Sequence, residues 1–191
     1  MHKPQPTATN DEQSAPRVAP GKGLELSLLA LLASKIGSRV TGTDDVRLFS
    51  TLGRVRRLFP AWLVYSGMMM PFGVLSRKET ELVILRVSFR RGSTYERNHH
   101  EGLGSRIGLS DAEISRTKED PAAADWDPRT KALLTATDEI LDDKDISPAT
   151  WETLAAHLGE RELVAFVLLV NQYDGLATTL HTLRVQTDRK S

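Results

Sequence analysis

The sequence predicts an all-α protein, a bundle of about seven or eight helices. Three observations carry this. Ser-x-x-Glu capping boxes recur at Ser76/Glu79, Ser93/Glu96 and Ser110/Glu113, each ahead of a helix-length run. Proline follows a capping residue at Asp127-Pro128 and Ser147-Pro148, the place a helix tolerates it best. The one stretch that could read as a strand, LVILRVSF, lies within Glu79 to Arg91, too long for a typical strand, and no partner strands accompany it.

The elements follow in order. Residues 1–22 are polar and rich in Pro, Ala and Thr, and read as a disordered tail; residues 23–191 read as one domain. Leu24 to Ile36 forms a short helix, broken over Gly37 to Gly42. Thr43 with Asp44 and Asp45 is an N-cap signal for a helix through Leu48, Leu52 and Val55. Pro60 suits the first position of the next helix, with Trp62, Tyr65 and Met68 to Met70; methionines in a row read first as core filler. Ser76 opens a buried helix that Gly92 ends. Ser93 then opens a helix to about Gly108, and Ser110 another. Asp127 caps a helix that ends in the acidic turn Asp142 to Asp145, Ser147 starts another through Trp151, Leu154 and Leu158 that Gly159 stops, and a long helix runs from Arg161 to about Val185, with Gly175 marking close packing or a kink.

Composition excludes several functions. Lys plus Arg equals Asp plus Glu, so no electrostatic draw toward nucleic acid or an anionic membrane is expected. The chain has no cysteine, which removes disulfides, thiolate metal sites and thiol redox chemistry together. The longest apolar runs are too short or interrupted for a membrane span, and the N-terminus has no apolar signal region. The expectation is a cytoplasmic protein.

Polar residues able to do chemistry concentrate at Tyr95, Glu96, His99 and His100, with Glu81 on the preceding helix. Glu96, His100, Leu103 and Ile107 share one helix face; His99 lies about a hundred degrees round, with Tyr95, Gly102 and Arg106. Glu81, Glu96 and His100 could form an acid–base site, since a carboxylate beside histidine orients it and tunes its proton affinity. The bland reading stands beside it: Glu96 caps its helix and His100 is a core histidine. Glu96-x-x-His99 has the form of half a di-iron site, but no second copy exists, and glycine at 104 breaks the pattern H-E-x-x-H. No metal and no cofactor are expected. The pairs Arg56-Arg57 and Arg90-Arg91 read as solvated surface, either able to hold a substrate carboxylate. Glu81 and Glu162 each begin an apolar run and each precede a histidine by nineteen residues (His100 and His181), either by chance or by duplication of a two-helix unit.

The run ELVILRV, a glycine turn, Tyr95-Glu96-x-x-His99-His100 and then GLSDAEI resembles the carboxymuconolactone decarboxylase family, related to the alkylhydroperoxidase D proteins. Phe59-Pro60 with Trp62, Trp126 with Pro128, and the closing LLVNQYDGLATTLHTLRV extend the likeness from about Asp45 to Val185. The resemblance implies the alkylhydroperoxidase D-like all-α bundle, assembled as a homo-oligomer, a trimer or hexamer. The peroxidase branch carries Glu-x11-Cys-x2-Cys-x3-His. Here Glu81 and His100 fall on the outer positions, and Ser93 and Glu96 on the two cysteine positions. Thiol peroxidase chemistry needs a thiolate, so that activity is not expected. The decarboxylase branch implies cofactor-independent acid–base chemistry on a small carboxylated molecule. His100 is then the general acid/base, Glu96 or Glu81 orients it, and Tyr95, His99 and Ser93 bind substrate. Arg97-Asn98 after Glu96, and Asp174 after Tyr173, depart from the usual pattern. The competing reading is a relative that kept the fold as a non-catalytic oligomeric or ligand-binding protein. The walls of a pocket are expected from Trp62, Met68 to Met70 and Phe72.

Overall fold

The computed structural model describes residues 15–41 and 46–188. Among them are nine α-helices and one 3₁₀ turn, with no strand. The helices are α1 (Leu28–Thr41), α2 (Arg47–Leu52), α3 (Leu58–Met69), α4 (Arg77–Arg90), α5 (Thr94–Arg106), α6 (Asp111–Arg116), α7 (Pro128–Asp143), α8 (Pro148–Ala155) and α9 (Glu160–Leu183).

Helix α4 is the axis of the bundle. The chain reaches it through a complete capping box: Glu79 N donates to Ser76 Oγ at 3.2 Å, and Ser76 N to Glu79 Oε2 at 3.0 Å. Every residue from Thr80 to Ser88 is buried, because α5, α7 and α9 pack around it on different sides. That explains an apolar run with no amphipathic period. Val83, Ile84 and Val87 join Leu133, Ala136 and Ile140 of α7 and Phe166, Val170 and Tyr173 of α9 in the main core. Each fully buried aliphatic side chain there contributes roughly 1.5–3 kcal/mol.

The other capping signals act as the sequence predicts. Ser110 and Glu113 box α6; Asp127 Oδ1 accepts from Arg129 N and Thr130 N ahead of Pro128; Ser147 Oγ accepts from Thr150 N at 3.4 Å. Long-range ion pairs then fix the helices to each other. Arg129 joins Glu79 at 2.5 Å, Glu162 at 2.7 Å and the His157 carbonyl, so one side chain ties the starts of α4, α7 and α9. Arg86 is buried in a fork on Asp138 and also donates to the Thr117 and Glu119 carbonyls.

Several expectations change. Gly37 does not break α1, which runs on to Thr41. A Cβ at Gly37 would lie 3.0 Å from both Phe49 and Val46, so the glycine serves close packing on α2. The cap signal at Thr43 to Asp45 lies outside the described residues, as do residues 1–14. The helix through Leu48 stops at Leu52 rather than continuing past Val55. Pro60 is the third residue of α3, still among the amides that lack an intrahelical acceptor. Gly175 neither packs closely nor interrupts α9. Met68 is 66% exposed rather than core filler, while Met69 and Met70 pack against the core. Residues 15–22, assigned from the sequence to the tail, are bonded to the body. Arg17 N donates to Leu183 O at 3.0 Å and Gly21 N to Ser50 O at 2.8 Å. Arg90 and Arg91 are not free surface: Arg90 pairs with Asp142, and Arg91 with Asp174 and the Leu141 carbonyl.

Helix α9 is long and apolar enough to cross a bilayer by composition alone. Its buried stripe (Leu163, Phe166, Val170, Tyr173, Ala177, Leu180) packs into the bundle against α3, α4, α7 and α8, the arrangement of a core helix.

Candidate active site

The site forms where α4 turns back into α5. Gly92, at φ 64°, takes the left-handed conformation that only glycine adopts without strain. Its N–H donates to Phe89 O at 3.1 Å, and Ser93 N donates to Ser88 O at 2.8 Å. These two bonds are a Schellman turn. It sets α5 back along α4 and brings Glu81 and His100, nineteen residues apart, into contact.

His100 Nδ1 lies 2.6 Å from Glu81 Oε2, with Glu81 fully buried and His100 6% exposed. Glu81 Oε1 accepts from Arg77 Nη2 at 3.2 Å, one turn earlier on α4. A carboxylate held by an arginine on one oxygen is an acceptor on the other, so the ring donates Nδ1–H and keeps Nε2 as its basic nitrogen. Tyr173 of α9 meets the His100 ring edge-on, centroids 5.2 Å apart. Burial, then the charges of Glu81 and Glu96, hold the Tyr173 phenol well above its usual range, Arg77 partly opposing them.

Glu96 and Ser93 correct the sequence reading. Their expected capping box does not form: Ser93 is the N-cap of α5 by position, but its hydroxyl accepts no backbone N–H. Both side chains are turned inward, each 2% exposed. Neither Ser93 Oγ nor either Glu96 oxygen makes a hydrogen bond of regular geometry, and Arg77 Nη1 is also buried without a partner. Leaving such a group unsatisfied costs about 1–3 kcal/mol. Burial pushes the Glu96 carboxyl up to about 8; the nearby Ser93 hydroxyl opposes this and the Asp174 charge adds to it. Around neutral pH, Glu96 is therefore a neutral acid beside an oriented histidine. That is two titratable groups with separated roles.

Tyr95 and His99 face away from this cluster. Tyr95 OH accepts from Leu48 N at 3.2 Å and donates to Asp188 Oδ2 at 3.0 Å. Asp188 Oδ1 also accepts from Arg47 N at 2.9 Å. The first amides of α2 are thus capped by residues far away in the chain. The His99 ring stacks on Tyr95 at 5.2 Å, with Nε2 3.5 Å from Asp188 Oδ2. Burial and then the neighbouring His100 lower His99 to about 4. This side opens into a groove of about 590 Å³ bordered by Tyr95, His99, Gly102, Arg106, Lys118 and Asp188. Glu81, Glu96 and His100 do not line it.

The structure therefore brings Glu81, Ser93, Glu96 and His100 together and places Tyr95 and His99 elsewhere. Arg77, Tyr173 and Asp188 were missed. Arg77 was legible as the i−4 neighbour of Glu81; the other two join only through tertiary contacts. Of the expected wall residues, Trp62, Met69 and Met70 pack against the main core, and Met68 and Phe72 are exposed. Met68 and Met69 border a separate apolar hollow with Tyr65, Val74 and Leu168, and Phe72 is 78% exposed. Glu162 and His181 are no second copy of the site. Both lie on the single helix α9, about 28 Å apart by helical rise. Glu162 pairs with Arg129, and His181 Nε2 meets the Arg91 carbonyl at 3.0 Å.

Residues 57–139, which hold the whole α4–α5 hairpin, match the model of the carboxymuconolactone decarboxylase family. Over these residues the chain resembles that family, and it carries no cysteine. Solved structures share the fold. An uncharacterised peroxidase-related protein from Ralstonia eutropha JMP134 with an alkylhydroperoxidase AhpD core superposes with a TM-score of 0.77 at 16% identity, covering 90% of this chain and 92% of that one. An uncharacterised peroxidase-related protein from Silicibacter sp. TM1040 gives 0.74 at 15% identity, covering 91% and 94%. The debrominase Bmp8 gives 0.75 at 13% identity, covering 89% and 91%. Identities this low carry the fold and not the reaction. No curated protein matches the sequence. In this chain the glycine turn leads into α5 with Ser93 at its N-cap and Glu96 in its first turn.

Proposed function

We propose that the protein is a cofactor-independent acid–base enzyme acting on a small carboxylated organic molecule, by decarboxylation or a related lyase or hydrolase-type step. The observation that carries this is the buried contact of Glu81 with His100 at 2.6 Å, one helical turn from the uncapped Glu96. Glu81 orients the ring, the neutral Glu96 carboxyl gives its proton to the substrate carbon, and His100 restores that proton to Glu96 from solvent. In a decarboxylation, the C–C bond breaks and carbon dioxide leaves. The electron pair left on carbon, spread into a neighbouring carbonyl, is then quenched by that proton. Thiol peroxidase chemistry is not part of the proposal, since the chain has no thiol.

The test is turnover on a panel of carboxylated lactones and β-keto acids, followed by carbon dioxide release. His100→Gln should lower kcat by about 10²–10⁴. An unchanged rate would remove His100 from the mechanism.

A second reading is a non-catalytic, ligand-binding or scaffolding member of the family. It is favoured by the groove beside His99, which does not reach His100. Equal, slow rates for the wild type and the His100 variant, with ligand bound in the groove, would favour it. We further propose a cytoplasmic homo-oligomer, a trimer or hexamer. The broad exposed apolar faces of α1 (Leu28, Leu32, Ile36) and of α3 with α9 (Val64, Met68, Val164) support assembly. Sedimentation at micromolar concentration tests the stoichiometry.

A further inference from the structure

We propose that Arg77, Ser93 and Glu96 form the receptor for the carboxylate of the bound molecule, with Arg77 as its anchor. This deepens the acid–base reading and rests on it for the location of the site. Buried polar atoms without a regular hydrogen bond are few among the described residues: Arg77 Nη1, Ser93 Oγ, the two Glu96 oxygens and Trp126 Nε1. All but the last belong to one cluster. Such atoms in a folded core call for a partner.

Arg77, Ser93 and neutral Glu96 can each donate. Arg77 Nη1 carries N–H groups only, the Ser93 hydroxyl can donate, and Glu96 donates while it keeps its proton. Arg77 Nη1 and the protonated Glu96 donate inward, and the Ser93 hydroxyl, which leans on Glu96, can turn to a ligand, so the cluster suits a ligand group that only accepts, which is what a carboxylate is. The charge balance agrees. Glu81 spends one oxygen on Arg77 and the other on His100, so it does not saturate the guanidinium. A small monoanion would complete the Arg77 fork, whereas a phosphate dianion would sit a few ångströms from the Glu81 carboxylate with one arginine to balance it. The Arg77 side chain is 34% exposed while its Nη1 is buried, so it spans from the surface to the cluster.

The experiment uses the full chain, with isothermal titration and thermal shift at pH 6.5. The probes are formate, acetate and benzoate, with benzamide as the uncharged match for benzoate and inorganic phosphate as the competing anion. At least one carboxylate should bind saturably and raise Tm, with benzamide and phosphate at least tenfold weaker. Arg77→Met should weaken that carboxylate tenfold or more, and Arg77→Lys should restore part of the loss. Ser93→Ala, which leaves the Glu81 contacts in place, should weaken it about threefold, and decides the case if Arg77→Met fails to fold. No carboxylate binding, equal binding of benzamide or phosphate, or wild-type affinity in both Arg77→Lys and Ser93→Ala would overturn the assignment. The two readings fail separately. If His100→Gln abolishes turnover while these variants bind normally, only the anchor is wrong. If the anchor holds and His100→Gln is as active as wild type, only the mechanism is.

Discussion

Helix α5 has two faces one residue apart, and they do opposite things. The face carrying Glu96 and His100 turns into the bundle, where one nitrogen of Arg77, the Ser93 hydroxyl and both Glu96 oxygens lack regular hydrogen bonds and burial holds a carboxyl protonated up to about pH 8. The face carrying Tyr95 and His99 has its hydrogen bonds made: Tyr95 OH both accepts and donates, and Asp188 serves three groups at once. Polar groups left unsatisfied at a cost in stability mark chemistry; polar groups fully used mark structure. From the sequence, His100 is assigned to acid–base chemistry and His99 to substrate binding; hydrogen bonding ties the first to Glu81, and the second lies against Asp188.

Substitutions on the two faces should therefore differ in size and in sign with pH. The largest effect is expected from Glu81→Leu, which strands Arg77 and His100 beside an apolar group. Removing one member of a buried pair costs about 3–5 kcal/mol. At a few degrees per kcal/mol, Tm should fall by roughly 8–15 °C. A drop under about 2 °C would mean the inner face is not the costly one.

Glu96→Gln comes next, and its effect depends on pH. Glu96 ionises near 8 when folded against an ordinary value of 4.5. Between those values the folded state holds a proton that the unfolded state has lost. Stability is thus complete below about 4.5 and is lost as pH rises through 8. The full swing is on the order of 4 kcal/mol. The variant should be flatter in urea unfolding between pH 5 and 8.5, and more stable than wild type at the alkaline end. Parallel curves would show that Glu96 is not held neutral.

His99 tests the outer face with the opposite sign. Its folded value is near 4 against 6.5, so the unfolded state binds the extra proton between them. Stability from this group is present above 6.5 and lost as pH falls toward 4. The Asp188 carboxylate at 3.5 Å favours the charged ring and trims the effect to about 1–2 kcal/mol. His99→Gln should remove that acid dependence and leave turnover within about twofold, unlike His100→Gln. Smallest is Asp188→Asn, about 1 kcal/mol from a weakened cap on α2, read as faster amide exchange at Arg47 and Leu48. A large loss of turnover in Asp188→Asn would join the two faces into one site and dissolve the contrast.

Much of this was legible in the chain itself. The caps at Ser76, Ser110, Asp127 and Ser147, the glycine turn at Gly92 and the helical spacing within α5 are local rules, so sequence alone places the helices and the two faces. The absence of cysteine alone settles that no thiolate acts here. The Ser93/Glu96 box failed although its pattern was right. The Schellman turn takes the Ser93 backbone and the bundle takes both side chains, so tertiary burial overrode a local cap. Gly37 misled for a related reason, since its neighbours Val46 and Phe49 belong to another helix. The Asp188 cap, 93 residues from Tyr95, leaves no local trace at all. Sequence thus determined what each segment could do alone, because caps and periodicity act within a few residues. Only the packing of α4, α5 and α9 decided which carboxyl keeps its proton and which histidine is oriented, because burial and charge proximity are properties of the assembled core.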